Sequence, residues 1–155
     1  MTTGIKWPPN ISLDSLRRYD ARLVENHADW QVLRELDRRG DVDGYVTNDA
    51  RMLNLATEMV TLSLSRLILV ATDGVGDDPL AATGLLMVHL VEITVREREN
   101  RRAQLYRLRP RELGRQREDV RKILIDLAAR QYAHIDQMIS RERQTIEAWP
   151  GLPLS

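Results

Sequence analysis

The stretch Gly44-Tyr45-Val46-Thr47-Asn48-Asp49 decides the fold of this chain. Its aromatic and β-branched residues are typical of a buried strand, and the polar residues at its end are typical of a strand stop. A helix is predicted before it, from about Asp29 to Arg39, and another directly after it, where apolar residues recur at spacings of three and four as far as Val60. The order helix, strand, helix predicts an α/β protein.

Two carboxylates are predicted to meet at one edge of the sheet. Asp29 begins the first of these helices and Asp49 ends the strand. Because a helix packs antiparallel to the strand that follows it, both residues lie at the carboxyl edge, where open α/β sheets bind their ligands. Asp29 and Asp49 are therefore the candidate site. The alternative interpretation is that each aspartate caps a helix, a role worth about 1 kcal/mol.

The chain is predicted to form a single domain over residues 1–155. Its α/β core spans 12–95, with a short parallel sheet covered by helices, and an Arg-rich segment with a long C-terminal helix spans 96–149. The further predicted elements are a first helix capped by Ser12 or Asp14 and carrying apolar residues to Val24, a buried strand over Arg66–Ala71, a helix over Leu80–Val95, a strand or loop over Gln104–Leu108, and a last helix from about Arg115 to Trp149. The helix over Leu80–Val95 is apolar nearly all round, so it is predicted to be central.

Composition excludes several classes of protein. The 155 residues carry 23 basic and 23 acidic side chains, so net charge does not favour nucleic acid or a membrane. There is no cysteine, which excludes disulfides, thiol nucleophiles and cysteine-bound zinc and fits a cytoplasmic location. The apolar runs near 60–71 and 80–95 are short and interrupted by Arg66, His89 and Glu92, so no membrane span is predicted.

Charge is distributed unevenly along the chain. The region 14–58 leans acidic, and 96–122 is rich in arginine. This asymmetry suits a metal site beside a phosphate-binding rim. The alternative is a solvated helix face in which opposite charges alternate, as in Arg96-Glu97-Arg98-Glu99.

The segment from about Ala28 to Thr72 resembles the C-terminal half of a PIN domain. The resemblance rests on Asp29-Trp30-Gln31-Val32-Leu33 opening a helix, on the strand ending in Thr47-Asn48-Asp49, and on the later strand Leu67–Ala71. It implies a three-layer α/β/α fold with a parallel sheet. Many PIN domains are ribonucleases dependent on Mg²⁺ or Mn²⁺, including the toxins of toxin–antitoxin pairs. The implied partners are RNA and a cognate antitoxin or a second copy of the chain.

The resemblance also implies roles for individual residues. Asp29 would match the third acid of the family and Asp49 the fourth, both holding the metal for phosphodiester hydrolysis. Thr47 and Asn48 would orient Asp49 through hydrogen bonds. Glu58 is interpreted as a surface residue of its helix.

The chain departs from the family pattern before Asp29. The family has an Asp at the end of its first strand and a Glu on a later helix, and too little sequence precedes Asp29 here to hold both in the usual form. Three functions therefore stay open. They are a metal-dependent ribonuclease, a PIN-derived binding or regulatory module that no longer cuts, and an α-rich interaction protein that dimerises through the apolar stripe Ile123–Ile146.

Overall fold

A four-stranded mixed sheet forms the centre of the fold in the computed structural model, which describes residues 11–76, 78–97, 102–110 and 116–153. The strands are β1 (Gly44–Thr47), β2 (Ile68–Thr72), β3 (Gln104–Leu108) and β4 (Gln116–Glu118), in that spatial order. The first three are parallel, and β4 runs antiparallel to β3. The predicted α/β class with a sheet between helices is confirmed. The antiparallel β4 was not predicted, and the segment 104–108 is a strand.

The helices are α1 (Leu16–Tyr19), α2 (Asp29–Arg39), α3 (Ala56–Ser63), α4 (Pro79–Arg96), α5 (Val120–Arg130) and α6 (Ile135–Ala148), with 3₁₀ turns at Ala21–Val24 and Ala50–Asn54. Helices α2, α3, α5 and α6 share one apolar core on one face of the sheet, and α4 packs on the other face. β2 is buried on both faces, as expected for a central parallel strand: Leu69 and Ala71 enter the first core, and Val70 enters the second.

Strand β1 lies very close to β2. A Cβ atom on Gly44 would come 2.3 Å from the carbonyl oxygen of Ile68, so only glycine fits at this position. The strand ends at Thr47, two residues before the predicted end. Asp49 leaves the extended conformation, and its carboxylate accepts the backbone N–H of Arg51 at 3.1 Å to start a 3₁₀ turn.

Two predicted helices near the N-terminus are broken in the structure. The first is an α-helix that is capped by Ser15, not by the predicted Ser12 or Asp14, and that ends at Tyr19; the next residue, Asp20, caps the following 3₁₀ turn. The helix predicted directly after Asp49 is a 3₁₀ turn followed by α3, separated by the extended residue Leu55. In both places a side-chain cap or an extended residue interrupts a continuous apolar pattern, which periodicity alone does not detect.

The long C-terminal helix was a wrong prediction; Arg115, where it was predicted to begin, lies outside the described part of the chain. Helix α5 ends at Arg130, Tyr132 adopts a positive φ of 54°, and His134 caps α6. A single helix over this segment would be about 50 Å long. The break at Tyr132 lets α5 and α6 both pack against α3 and bury their apolar faces.

Helix α4 is not central, contrary to the prediction. Its inward face packs on the sheet through Leu86, Leu90 and Ile93, while its outward face is exposed to solvent. By length and composition alone this helix could cross a membrane, since its 18 residues have a mean hydropathy of 1.3, and about a third of it is buried in the protein. Its length and composition thus meet the requirement for a span, contrary to the prediction that the run is too short.

A buried carboxylate ties the C-terminal segment to α2. Glu35 is 0% exposed and accepts hydrogen bonds from the guanidinium groups of Arg38 and Arg39. Its carboxylate also accepts the backbone N–H of Leu152 at 3.4 Å, and Arg22 donates to the carbonyl of Pro153 at 2.8 Å. The neighbouring arginines hold the pKa of Glu35 below its usual value.

Candidate functional site

Asp29 is the first residue of α2, and Ala28 occupies the N-cap position. The backbone N–H of Ala28 donates to the side chain of Gln31 at 2.9 Å, so a different residue performs the local capping. Within the described residues, the half-buried Asp29 carboxylate has no hydrogen-bond or ion-pair partner. The capping interpretation therefore fails for Asp29, and its carboxylate is available to a ligand.

Asp29 and Asp49 lie close enough for their charges to interact. Burial raises the pKa of Asp29, and the nearby charge of Asp49 raises it further. Tyr45, on β1, has a pKa raised to about 12 by burial and by the charges of both aspartates. The carboxyl end of β1 and the start of α2 therefore lie on the same side of the fold, with the two carboxylates within range of each other's charge.

Asp49 differs from Asp29 because it has a cationic neighbour. Its carboxylate accepts from Nε and Nη2 of Arg51 at 2.8 and 3.0 Å, and this pairing lowers the pKa of Asp49. The capping interpretation therefore applies to Asp49, for the short 3₁₀ turn. The Arg51 side chain is almost fully exposed, and an exposed ion pair contributes no more than about 1 kcal/mol. Arg51 therefore neutralises Asp49 only weakly.

Thr47 and Asn48 have different roles. The hydroxyl of Thr47 accepts the backbone N–H of Asp49 at 3.0 Å, so it orients the backbone rather than the carboxylate. The amide of Asn48 donates to the carbonyl of Gly76 at 3.5 Å and connects β1 to the loop that follows β2. In the described structure Asn48 makes no hydrogen bond to Asp49, so the predicted orienting role fits Thr47 alone.

Glu58 was interpreted as a surface residue, and this was wrong: it is 7% exposed. Burial raises its pKa most, and the charges of Asp29 and Glu142 raise it further. Hydrogen bonds from the backbone N–H groups of Glu58 itself and of Trp30 lower it in part. A sequence signal did exist, because Glu58 is the only charged residue between Arg51 and Arg66. The acidic cluster thus contains Asp29, Asp49 and Glu58.

The donor chemistry of this cluster suits a hard divalent cation, which prefers carboxylate oxygens. In the described part of the chain, however, no three Asp, Glu or His side chains lie close enough together to hold a metal ion by themselves. Mg²⁺ commonly uses only one or two protein carboxylates and takes its other ligands from water and substrate phosphates. Two aspartates are therefore a sufficient, though minimal, protein contribution for Mg²⁺.

The arginine-rich segment is divided between the two edges of the sheet. Arg109 follows β3 at the carboxyl edge and pairs with Asp73 at 3.2 Å. Arg96 ends α4, which runs back between two parallel strands, and so it lies towards the opposite edge. Other arginines in the described segments are in ion pairs, including Arg107 with Glu118 and Arg117 with Glu97. Within one chain the predicted basic rim is thus only partly beside the acidic cluster.

Comparisons of the chain with protein-family models, with curated proteins and with solved structures find no match.

Proposed function

We propose that the protein is a PIN-like ribonuclease that binds Mg²⁺ or Mn²⁺ through Asp29 and Asp49 and hydrolyses RNA phosphodiester bonds. The supporting observation is the half-buried Asp29 carboxylate, which has no partner within the described residues and is acted on by the charge of Asp49. Two close carboxylates cost free energy unless a cation offsets their repulsion.

The residues around the cluster have separate tasks in this proposal. Asp29 and Asp49 bind the cation, which when present would activate a water and offset charge on the scissile phosphate. When RNA binds, the guanidinium of Arg51 leaves Asp49 and donates to a phosphate oxygen, because its ion pair with Asp49 is exposed and weak. Tyr45 stays protonated at neutral pH because its pKa is about 12, so its hydroxyl adds no negative charge to the cluster.

Calorimetric titration with MgCl₂ and MnCl₂ tests the metal site directly. We expect saturable binding by the wild type and loss of binding in Asp29→Asn and in Asp49→Asn. Asp126→Asn is the matched control, because Asp126 is an exposed aspartate on α5, outside the cluster. Cleavage of a fluorescent single-stranded RNA should likewise be retained by the wild type and Asp126→Asn and be lost in Asp29→Asn and Asp49→Asn. A wild type that binds neither metal at millimolar concentration contradicts the proposal.

A second candidate is a PIN-derived module that binds RNA without cutting it. The pairing of Asp49 with Arg51 and the low number of protein ligands favour this alternative. It predicts retarded migration of RNA in the presence of EDTA, no cleavage, and no change of RNA affinity in Asp29→Asn. The ribonuclease predicts metal-dependent cleavage that Asp29→Asn abolishes.

A further inference from the structure

The outward face of α4 carries an exposed apolar stripe. Its exposed members are Leu80, Gly84, Met87, Val88 and Val95; together with the half-buried Val91 we call them the outer stripe. Leu80 is 80% exposed and Val88 is 68% exposed. These residues recur at spacings of three and four, so they lie on one side of the helix, opposite the side that packs on the sheet. A continuous apolar stripe of this kind marks an interaction surface.

The order of residues in the outer stripe is symmetric about the middle of the helix. Leu80 and Val95 are equally far from the midpoint between Met87 and Val88, and so are Gly84 and Val91. If a second α4 lies antiparallel on the first, Leu80 meets Val95 of the other copy, and Gly84 meets Val91. The small Gly84, which has open space around it, then receives the larger valine. A two-fold interface requires this kind of self-complementarity.

Charge at the ends of α4 also favours a second copy in the antiparallel orientation. The exposed Asp78 caps the start of the helix, and the exposed Arg96 ends it. Antiparallel pairing brings the acidic start of each helix beside the basic end of the other, and it also aligns the helix dipoles favourably.

We propose that two copies of this chain pair through the outer stripe of α4, antiparallel about a two-fold axis between Met87 and Val88. The helix is about 27 Å long, and its contact face is about 10 Å wide. This area is below the roughly 800 Å² per partner of a standard interface. We therefore expect weak pairing that is detected only at high protein concentration.

Sedimentation velocity over a range from micromolar to several hundred micromolar protein tests the pairing. The wild type shifts from monomer to dimer, and Val88→Glu weakens dimerisation at least tenfold because it buries two unpaired carboxylates at the axis. Ile125→Glu is the matched control: Ile125 is an exposed apolar residue on α5, and its replacement leaves the dimer unchanged. Circular dichroism verifies that both variants fold.

Cross-linking tests the orientation, since the chain has no native cysteine. With a short bismaleimide, Val88→Cys gives a covalent dimer. Leu80→Cys alone does not, because the two copies of that residue lie about 22 Å apart along the helix axis. A mixture of Leu80→Cys and Val95→Cys chains does give one.

A wild type that stays monomeric at several hundred micromolar overturns the proposal, as does efficient cross-linking of Leu80→Cys to itself. Sedimentation of monomeric wild type with phosphatidylcholine vesicles also overturns it and assigns the outer stripe to a lipid surface. A dimer that Ile125→Glu disrupts and Val88→Glu preserves overturns it in favour of the C-terminal helices.

Discussion

Two buried glutamates should respond in opposite directions when each is replaced by glutamine. Glu58 is 7% exposed and lies near Asp29 and Glu142, whereas Glu35 is 0% exposed and lies between two arginines. Glutamine keeps the size and an accepting oxygen but removes the charge. The substitution thus measures what each charge contributes to the free energy of unfolding.

For Glu58→Gln we expect stabilisation at neutral pH. The raised pKa of Glu58 means that its ionised form costs free energy in the folded state. The backbone N–H of Trp30 can donate to the glutamine oxygen as it does to the glutamate, so the substitution costs little hydrogen-bond free energy. Stabilising substitutions of this type contribute about 0.5–2 kcal/mol. For a chain of this size that corresponds to a melting temperature higher by roughly 1–8 °C.

For Glu35→Gln we expect destabilisation by about 3 kcal/mol, the lower end of the range for breaking a buried ion pair. The lower end applies because the Arg38 side chain is 43% exposed and is partly hydrated in any case. Arg39 is less exposed and loses both the charge of its partner and a hydrogen bond from Nε. The two glutamates are thus expected to differ in sign as well as in magnitude.

The pH dependence separates the two effects further. Glu58 has a raised pKa, so the wild-type free energy of unfolding should fall as pH rises through the folded-state pKa, and Glu58→Gln should remove that fall. Glu35 has a lowered pKa. Its contribution is present above the unfolded value near about 4.3 and is lost as pH falls through the folded value.

Urea denaturation from about pH 2.5 to pH 8 is the assay, so that the range includes the pH below the ordinary pKa of glutamate. Glu147→Gln serves as the control, since it breaks an exposed pair with Arg143 at 2.9 Å and should change stability by less than about 0.5 kcal/mol. Destabilisation by Glu58→Gln at pH 7 would refute the electrostatic account of the acidic cluster. A shift of both variants in the same direction would refute it as well.

Two backbone substitutions are also predicted to have opposite effects. Gly44→Ala should destabilise the protein by about 3 kcal/mol, because the new Cβ would lie 2.3 Å from the carbonyl oxygen of Ile68. A change below about 0.5 kcal/mol in urea denaturation would contradict the close approach of β1 and β2. Tyr132→Gly should stabilise the protein by about 1 kcal/mol, because Tyr132 is fully exposed and adopts a positive φ of 54° that glycine tolerates without strain. A lower melting temperature in calorimetry would contradict this and show that the tyrosine ring contributes stabilising contacts.

The parts of the fold that the sequence predicts are those with a strong local signal. Helix α2 begins and ends where it was predicted, because its amphipathic pattern ends at Gly40, which adopts the left-handed conformation. Strand β2 is a continuous apolar run and was predicted to within two residues. Strand β4 was missed because its three residues, Gln116–Glu118, are all polar and are held by pairing with β3.

For the candidate site, the sequence predicts the placement of the two aspartates but not their surroundings. The meeting of Asp29 and Asp49 follows from chain order and from the antiparallel packing of helix on strand. The burial of Glu58 depends on which side of α3 faces the protein, and α3 is buried nearly all round. The Arg51 pairing depends on side-chain conformation two residues from Asp49, which a sequence pattern does not specify.

The contact between Glu35 and Leu152 has a consequence for the order of folding events. It joins residues 117 positions apart, so it forms only when a long loop of chain has closed. Before that closure, Arg38 and Arg39 face a carboxylate whose burial is incomplete. Because contacts between distant residues form slowly, we expect the complete burial of Glu35 to be a late step of folding, after α2 has formed.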